Sequence, residues 1–235
     1  MEDQAKGPPA NPIEMGMANL DAVIDRVRRI PGYTPLFQRA FPSTGRAAVT
    51  EAITMDNAAK AIAAYERTLI TPNNAYDRYA KGDKSALTAQ QARGLATFAE
   101  VGCTACHQGP NFSGPNLPVG TPFLMRFPTF PDSPFVARYD LVSDTGRASV
   151  TKLDADRNMW RVPSLRNLTH TAPYFHNGVV HTIDEAVRAM ASTQLNKALT
   201  NDQVNDITTF LMSLSGPFPV QKMPLLPPTA GDLID

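Results

Sequence analysis

Two cysteines and a histidine form the closest group of chemically reactive side chains in this 235-residue sequence. They follow the order C-x-x-C-H at Cys103, Cys106 and His107. Two thiols at this spacing can add across the two vinyl groups of one haem, and a histidine directly after the second thiol can bind the haem iron. The motif therefore predicts one covalently attached c-type haem, with His107 as the proximal ligand.

Other uses of a C-x-x-C pair remain open from the sequence. A thioredoxin-like redox pair needs a strand-rich βαβ context, which the hydrophobic pattern does not show. A zinc site needs a second C-x-x-C pair or paired histidines, and the chain has only two cysteines. A haem-free protein that uses Cys103 and Cys106 as a thiol pair is the third alternative.

A second axial ligand for the iron would have to come from far along the chain. Met190 shares an apolar helical stripe with Ile183 and Val187, so it could be either a ligand or an ordinary core residue. Methionine ligation would raise the haem potential and close the iron to peroxide. The full set of candidates is His170, His176, His181, Met125, Met159, Met190 and Met212.

Charge and composition argue against two classes of partner. Lys plus Arg and Asp plus Glu both number 22, so there is no basic excess for nucleic acid or a membrane surface. No apolar run reaches the roughly 18 residues of a membrane span. The 21 prolines predict helices joined by long, shaped loops.

Apolar periodicity and capping signals predict five helices in an all-α fold. Three of them open with capping-box sequences, at Thr88, Thr182 and Thr200. Their predicted extents are 18–30, 55–69, 88–102, 182–191 and from 200 to the stop at Gly216-Pro217. Residues 1–17 and 108–135 are predicted as loops, 136–170 as mostly irregular with short extended pieces, and 71–74 as a domain boundary.

Several longer motifs resemble one known family. They are NPIEMGM at 11–17, ERTLI at 66–70, PSLRN at 163–167, TAPYFHNG at 171–178, and EAV at 185–187 followed by Met190. Together they are similar to the bacterial di-haem cytochrome c peroxidases and extend over essentially the whole chain. The resemblance implies a class I cytochrome c-like haem domain with long Pro-rich loops. It also implies helices before this domain that pack on a second haem domain.

The resemblance implies a function as well. Family members reduce hydrogen peroxide to water in the periplasm, using electrons from a small donor cytochrome c or cupredoxin. They usually form homodimers and bind calcium between their two haem domains. Cys103, Cys106 and His107 would hold the electron-accepting haem, and Met190 matches its distal methionine. Arg166 is a candidate partner for a haem propionate.

Four further residues match other family sites. Gln4 and Glu14 match the pair that lines the peroxide pocket, where the glutamate would shuttle a proton and the amide would hold oxygen. Thr171 and Pro173 match backbone carbonyls that contact the calcium, for which oxygen ligands are suitable.

The sequence departs from the family in carrying one C-x-x-C-H motif instead of two. We expect the peroxide-reacting haem to belong to a segment before residue 1, and the start of the chain lacks a secretory signal. Residues 1–17 would then be a loop remnant of the peroxidatic domain and 18–70 its associated helices. Residues 71–217 would be the haem domain and 218–235 an extended tail. The alternative is a stand-alone cytochrome c-type electron carrier, which would have no use for Gln4 and Glu14 as a peroxide pocket.

Overall fold

A computed structural model describes residues 1–42, 52–118 and 120–229. The chain divides into two compact units: Thr71–Pro217, and Met1–Ile70 with Phe218–Asp235. The α-helices of the described residues are α1 (Gly7–Ala10), α2 (Leu20–Arg28), α3 (Tyr33–Ala40), α4 (Met55–Glu66), α5 (Ala75–Ala80), α6 (Ala89–Val101), α7 (Pro134–Arg138), α8 (Ala148–Thr151), α9 (Ile183–Leu195) and α10 (Asn201–Met212). Among them, none has the length and apolarity to cross a bilayer.

The unit that contains the N-terminus is built around α2 and α4. The side chain of Asn19 accepts a hydrogen bond from the amide of Ala22, the third residue of α2, and that of Thr54 accepts one from the amide of Asn57, the third residue of α4. The helices predicted at 18–30 and 55–69 are therefore present but shorter. Ile24 is the buried anchor of α2, with 3% of its surface exposed.

The loop predicted for residues 1–17 is partly wrong. Gln4–Lys6 forms a 3₁₀ turn that leads into α1. Pro8 and Pro9 lie in the first turn of α1, where a proline needs no amide partner, so they did not prevent the helix. Helix α3 follows Pro31-Gly32 and was not predicted.

The larger of two hydrophobic clusters in the unit Thr71–Pro217 lies between α6 and α10. The two helices cross closely because Gly94 has no side chain: a Cβ there would lie 2.0 Å from the carbonyl oxygen of Asp206. The predicted buried face of α10 is confirmed, since its members are at most 4% exposed. They are Val204, Ile207, Phe210 and Leu211 on α10, and Leu214 two residues beyond its end.

The capping predictions are confirmed for α6 and α10. Thr88 with Gln91, and Thr200 with Gln203, form complete capping boxes. Gly102 ends α6 with a left-handed φ of 108°.

The predicted box at α9 is only half formed. The hydroxyl of Thr182 accepts a hydrogen bond from the backbone amide of Glu185. The Glu185 carboxylate does not complete the box, because it accepts hydrogen bonds from Tyr139 and Arg138. Helix α9 also continues four residues beyond the predicted end, to Leu195.

The protein is helix-rich, but it also has a small sheet, of which the all-α prediction included only short extended pieces in 136–170. Strand β1 (Leu124–Arg126) pairs antiparallel with β2 (Met159–Arg161), and Met125 lies opposite Trp160. Each strand has three residues, which is too short to show a period of two in the sequence. Helices α5, α7 and α8 were not predicted for the same reason, since they have only four to six residues each.

Candidate haem site

A cavity of about 500 Å³ lies in the unit Thr71–Pro217. This volume is within the range usual for small-molecule and cofactor sites. Its wall is predominantly apolar and comes from the C-x-x-C-H segment, the two strands, residues 162–176, and the inner faces of α9 and α10. Sites of this kind suit a large apolar group with few polar atoms.

The C-x-x-C-H segment forms one wall of this cavity. After α6, Gly102 turns the chain and Cys103–Ala105 forms a 3₁₀ turn, which the amide of Cys106 closes on the carbonyl of Cys103. The amide of His107 also donates to this carbonyl, at 2.9 Å. Cys103 and Cys106 are free thiols, and both line the cavity. Burial raises the pKa of Cys103 to about 11 and raises that of Cys106. The two thiols therefore face an apolar space as neutral groups.

His107 also lines the cavity and is 9% exposed. Its Nδ1 atom lies 2.8 Å from the backbone carbonyl oxygen of Phe112, so Nδ1 carries a proton and donates a hydrogen bond to this oxygen. Burial lowers the pKa of His107 although this hydrogen bond opposes the change, so the ring is neutral. Nε2 is then the nitrogen with a lone pair, and a ring held through its other nitrogen is the usual arrangement of a metal-binding histidine.

Three of the seven candidates for the second axial ligand line this cavity. They are Met125 on β1, Met190 on α9 and His176. Met159, His170, His181 and Met212 are not part of its lining, and Met212 is 51% exposed. The structure thus brings the family's methionine position into the same cavity as the C-x-x-C-H segment.

Arg166 has partners other than the cavity. Its Nη2 and Nη1 atoms lie 2.8 and 3.2 Å from the two carboxylate oxygens of Asp77, and Nε donates to the carbonyl of Pro110 at 2.8 Å. Arg166 does not belong to the cavity lining, although its neighbours Ser164 and Leu165 do. Its guanidinium therefore ties α5 to the loops, which counts against the predicted contact with a propionate.

The remaining predicted site residues are in two places. Gln4 and Glu14 are both exposed in the unit that contains the N-terminus, Gln4 in the first 3₁₀ turn and Glu14 in a turn closed by its own amide on Asn11. Thr171 and Pro173 line the cavity. No cluster of three or more His, Cys, Asp or Glu side chains suited to a metal occurs among the described residues. A calcium site made of backbone carbonyls stays a prediction.

Sequence reasoning missed the aromatic wall of the cavity. Trp160 lies on β2, and its ring stacks on His176 with centroids 4.2 Å apart and planes 22° apart. Phe127 packs edge-on against His176 and stacks on Phe175. The one available signal was that Trp160 is the only tryptophan of the chain and lies in a stretch predicted as irregular.

Comparison with known proteins identifies related sequences along the whole chain. The family model described as di-haem cytochrome c peroxidase matches residues 1–85. Cytochrome c551 peroxidase of Pseudomonas aeruginosa is 42% identical over 225 residues, covering 96% of this chain and 61% of its own length. Cytochrome c551 peroxidase of Nitrosomonas europaea is 36% identical over 236 residues, covering 99% of this chain and 64% of its own length.

A solved structure extends the comparison to the fold. A MauG-like protein associated with microbial copper homeostasis matches with a TM-score of 0.69 and 25% identity, covering 92% of this chain and 68% of that one. The chain spans less than two thirds of the length of the two peroxidases. The motifs, the cavity and these relatives agree that the chain is similar over nearly its whole length to the di-haem cytochrome c peroxidases.

Proposed function

We propose that this chain is the electron-accepting haem portion of a cytochrome c peroxidase. The complete reaction would convert hydrogen peroxide, two electrons and two protons into two molecules of water. The electrons would come from a small donor cytochrome c or cupredoxin in the periplasm. The observation that carries the proposal is that Cys103, Cys106, His107 and Met190 line one apolar cavity.

The residues of the cavity fit haem c in three respects. The thiols of Cys103 and Cys106 are unpaired and face the cavity, so each could add across a vinyl group to form a thioether. His107 is neutral and oriented by Phe112. The wall around them is apolar, as a porphyrin face requires. When bound, the haem iron would supply one-electron chemistry.

The protein's own part would be to hold and shield this centre. His107 would hold the iron through Nε2, and Met190 from α9 would be its second protein ligand. Two strong ligands would leave no position for peroxide, so this haem would pass electrons without reacting with peroxide itself. Peroxide chemistry would then belong to the pocket to which we assign Gln4 and Glu14. Homodimer formation and calcium binding are further proposals, which rest on the resemblance to the family.

A stopped-flow experiment separates this function from others. The purified haem-loaded chain should accept an electron from a reduced small cytochrome c or cupredoxin, and it should turn over hydrogen peroxide poorly. Fast peroxide turnover by the purified chain would contradict the proposal, because it would require an open iron position. Failure of any small donor to reduce the haem would also count against it.

A stand-alone electron carrier is the second candidate. It is favoured by the fact that every cavity-lining residue lies within the unit Thr71–Pro217. A carrier and a peroxidase portion differ in where the electron goes next. Oxidation of the reduced chain by the haem-loaded peroxidase of a relative, followed by peroxide consumption, would favour the peroxidase portion.

A further inference from the structure

Trp160 has a buried hydrogen-bond donor without a partner. Its indole Nε1 has less than 1 Å² of exposed surface and makes no hydrogen bond to any described residue. The ring is held firmly: β2 pairs it with Met125, and it packs directly over Gly146, where an added Cβ would approach the ring to 2.8 Å. A buried donor without a hydrogen bond destabilises the folded protein, so we expect an acceptor beside Nε1.

His176 repeats the same feature on the adjacent ring. Its Nε2 atom is also buried and unpartnered within the described part of the chain. The imidazole is clamped between the Trp160 ring, on which it stacks, and the edge contact with Phe127. Two orphaned ring nitrogens therefore lie on stacked neighbours, and both residues line the cavity.

The chemistry of the indole determines which kind of hydrogen-bond partner Trp160 can have. An indole N–H can only donate, so Trp160 requires an acceptor and no other partner. Buried polar groups nearly always have a partner. No described residue supplies one for Trp160, and its side chain lines the cavity. A haem is apolar except for its two propionate carboxylates, which only accept hydrogen bonds when ionised.

We propose that the indole Nε1 of Trp160 and the imidazole Nε2 of His176 donate hydrogen bonds to a propionate of the bound haem. The inference rests on the proposed haem in this cavity and adds the residues that fix its polar edge. It also replaces Arg166 in that role, because Arg166 is held by Asp77 and Pro110.

The two donors would also tune the haem. Neutral N–H groups that bond a carboxylate withdraw negative charge from the propionate, which favours the reduced iron. Removal of either donor should therefore lower the reduction potential. Arg161 is an exposed cation that also lines the cavity, so removal of its charge gives a control for simple charge effects.

The first measurement needs no variant. Because Trp160 is the only tryptophan, ¹⁵N-indole labelling of the haem-loaded ferrous protein gives a single N–H signal. We expect this proton to exchange slowly with solvent and the propionate band in the resonance Raman spectrum to show a hydrogen-bonded carboxylate. Rapid exchange of the indole proton would overturn the proposal.

Variants then test the bond directly. Trp160→Phe keeps an aromatic ring but removes the donor, and His176→Phe does the same at the second position. We expect each to shift the propionate band and lower the potential. The double variant should change the potential by a different amount from the sum, because both donors serve one group. Arg161→Gln is the matched control and should leave the propionate band in place.

The outcomes separate this inference from the proposed function. A c-type haem spectrum with an unchanged propionate band in Trp160→Phe overturns the inference alone, even when the indole proton is protected, because a buried water would then be the partner. Failure of the wild-type chain to bind haem at all overturns both. A shifted band in both single variants, with the haem still attached, supports the hydrogen bonds.

Discussion

The Nδ1 atom of His107 lies 2.8 Å from the carbonyl oxygen of Phe112, five residues further along the chain. Phe112 has a positive φ of 51°, and its ring packs edge-on against Phe98 and Phe210 in the core. One residue therefore anchors the loop to the α6–α10 core through its ring and orients the histidine through its backbone. The orientation of His107 depends on the core of this unit and not on the C-x-x-C-H segment alone.

Replacement of Met190 tests the second axial ligand. Met190→Ala should abolish the methionine-to-iron absorption band of the haem-loaded chain and lower its potential, because a thioether ligand stabilises the reduced iron. Met125→Ala is the matched control, since Met125 is the other methionine that lines the cavity. The assignment would be reversed by a band that survives in Met190→Ala and disappears in Met125→Ala.

The crossing of α6 and α10 depends on the missing side chain at Gly94. Gly94→Ala should lower the free energy of unfolding by about 1–3 kcal/mol, because the new Cβ would overlap the Asp206 carbonyl and force the helices apart. The gain in helix propensity, about 1 kcal/mol, is smaller. Urea unfolding measures the difference.

Gly7 provides the control for this change. It starts α1, and an added Cβ there would meet no atom within 4 Å. Gly7→Ala should not destabilise the protein. If Gly94→Ala and Gly7→Ala changed the free energy of unfolding equally, the contact between α6 and α10 at Gly94 would not be the cause of the change.

The ion pair of Asp77 and Arg166 predicts a dependence of stability on pH. Burial raises the pKa of Asp77, but the hydrogen bonds and charge of Arg166 outweigh it, so the pKa lies below its ordinary value of 3.8. The stability that the pair contributes is therefore complete above pH 3.8 and is lost as pH falls through the lower folded pKa. Asp77→Asn should cost about 1–2 kcal/mol at neutral pH, a value between those of exposed and buried pairs.

Chemical denaturation at several pH values checks this prediction. The difference between wild type and Asp77→Asn should shrink steadily at acid pH. Asp154→Asn is the control, because Asp154 forms an ion pair with Arg157 while its side chain is 89% exposed. A deficit for Asp77→Asn that persists unchanged at low pH would argue for a packing effect and against the ion pair.

Tyr139 and Glu185 connect α7 to the first turn of α9. Burial and, after it, the hydrogen bond to Glu185 raise the pKa of Tyr139 from its ordinary value of 10.0 to about 12. Between these values the unfolded chain loses the proton first, so stability should fall as pH rises through this range. Tyr139→Phe should cost about 1 kcal/mol at neutral pH, and thermal unfolding should show it losing less stability than wild type at alkaline pH.

Sequence reasoning succeeded where the signal was local and repeated. The capping boxes at Thr88 and Thr200, the stop at Gly102 and the buried face of α10 all follow from short-range chemistry or from a clear period. It failed at α9, where the carboxylate of Glu185 had the correct spacing for a box but bonds Tyr139, 46 residues away. A capping pattern does not reveal a competing tertiary partner.

The cavity wall shows the same limit. The pattern of cysteines and histidine indicated the haem, and the family motifs indicated Met190, but nothing local placed Trp160 or His176 against them. Their positions depend on β1 and β2, which are too short to leave a period, and on the loop around 163–176. Nothing local predicted the partner of Arg166 either, since its guanidinium bonds Asp77, which lies 89 residues away.

Haem content per chain tests the central claim most directly. The full chain would be expressed with a c-type maturation system in a bacterial periplasm, and haem would be counted by pyridine haemochrome absorbance and by intact mass after acid extraction. We predict one haem per chain, retained under denaturing conditions, and none in the double variant Cys103→Ser, Cys106→Ser. A wild-type chain without haem, or with haem that acid extraction removes, would contradict the assignment of this cavity.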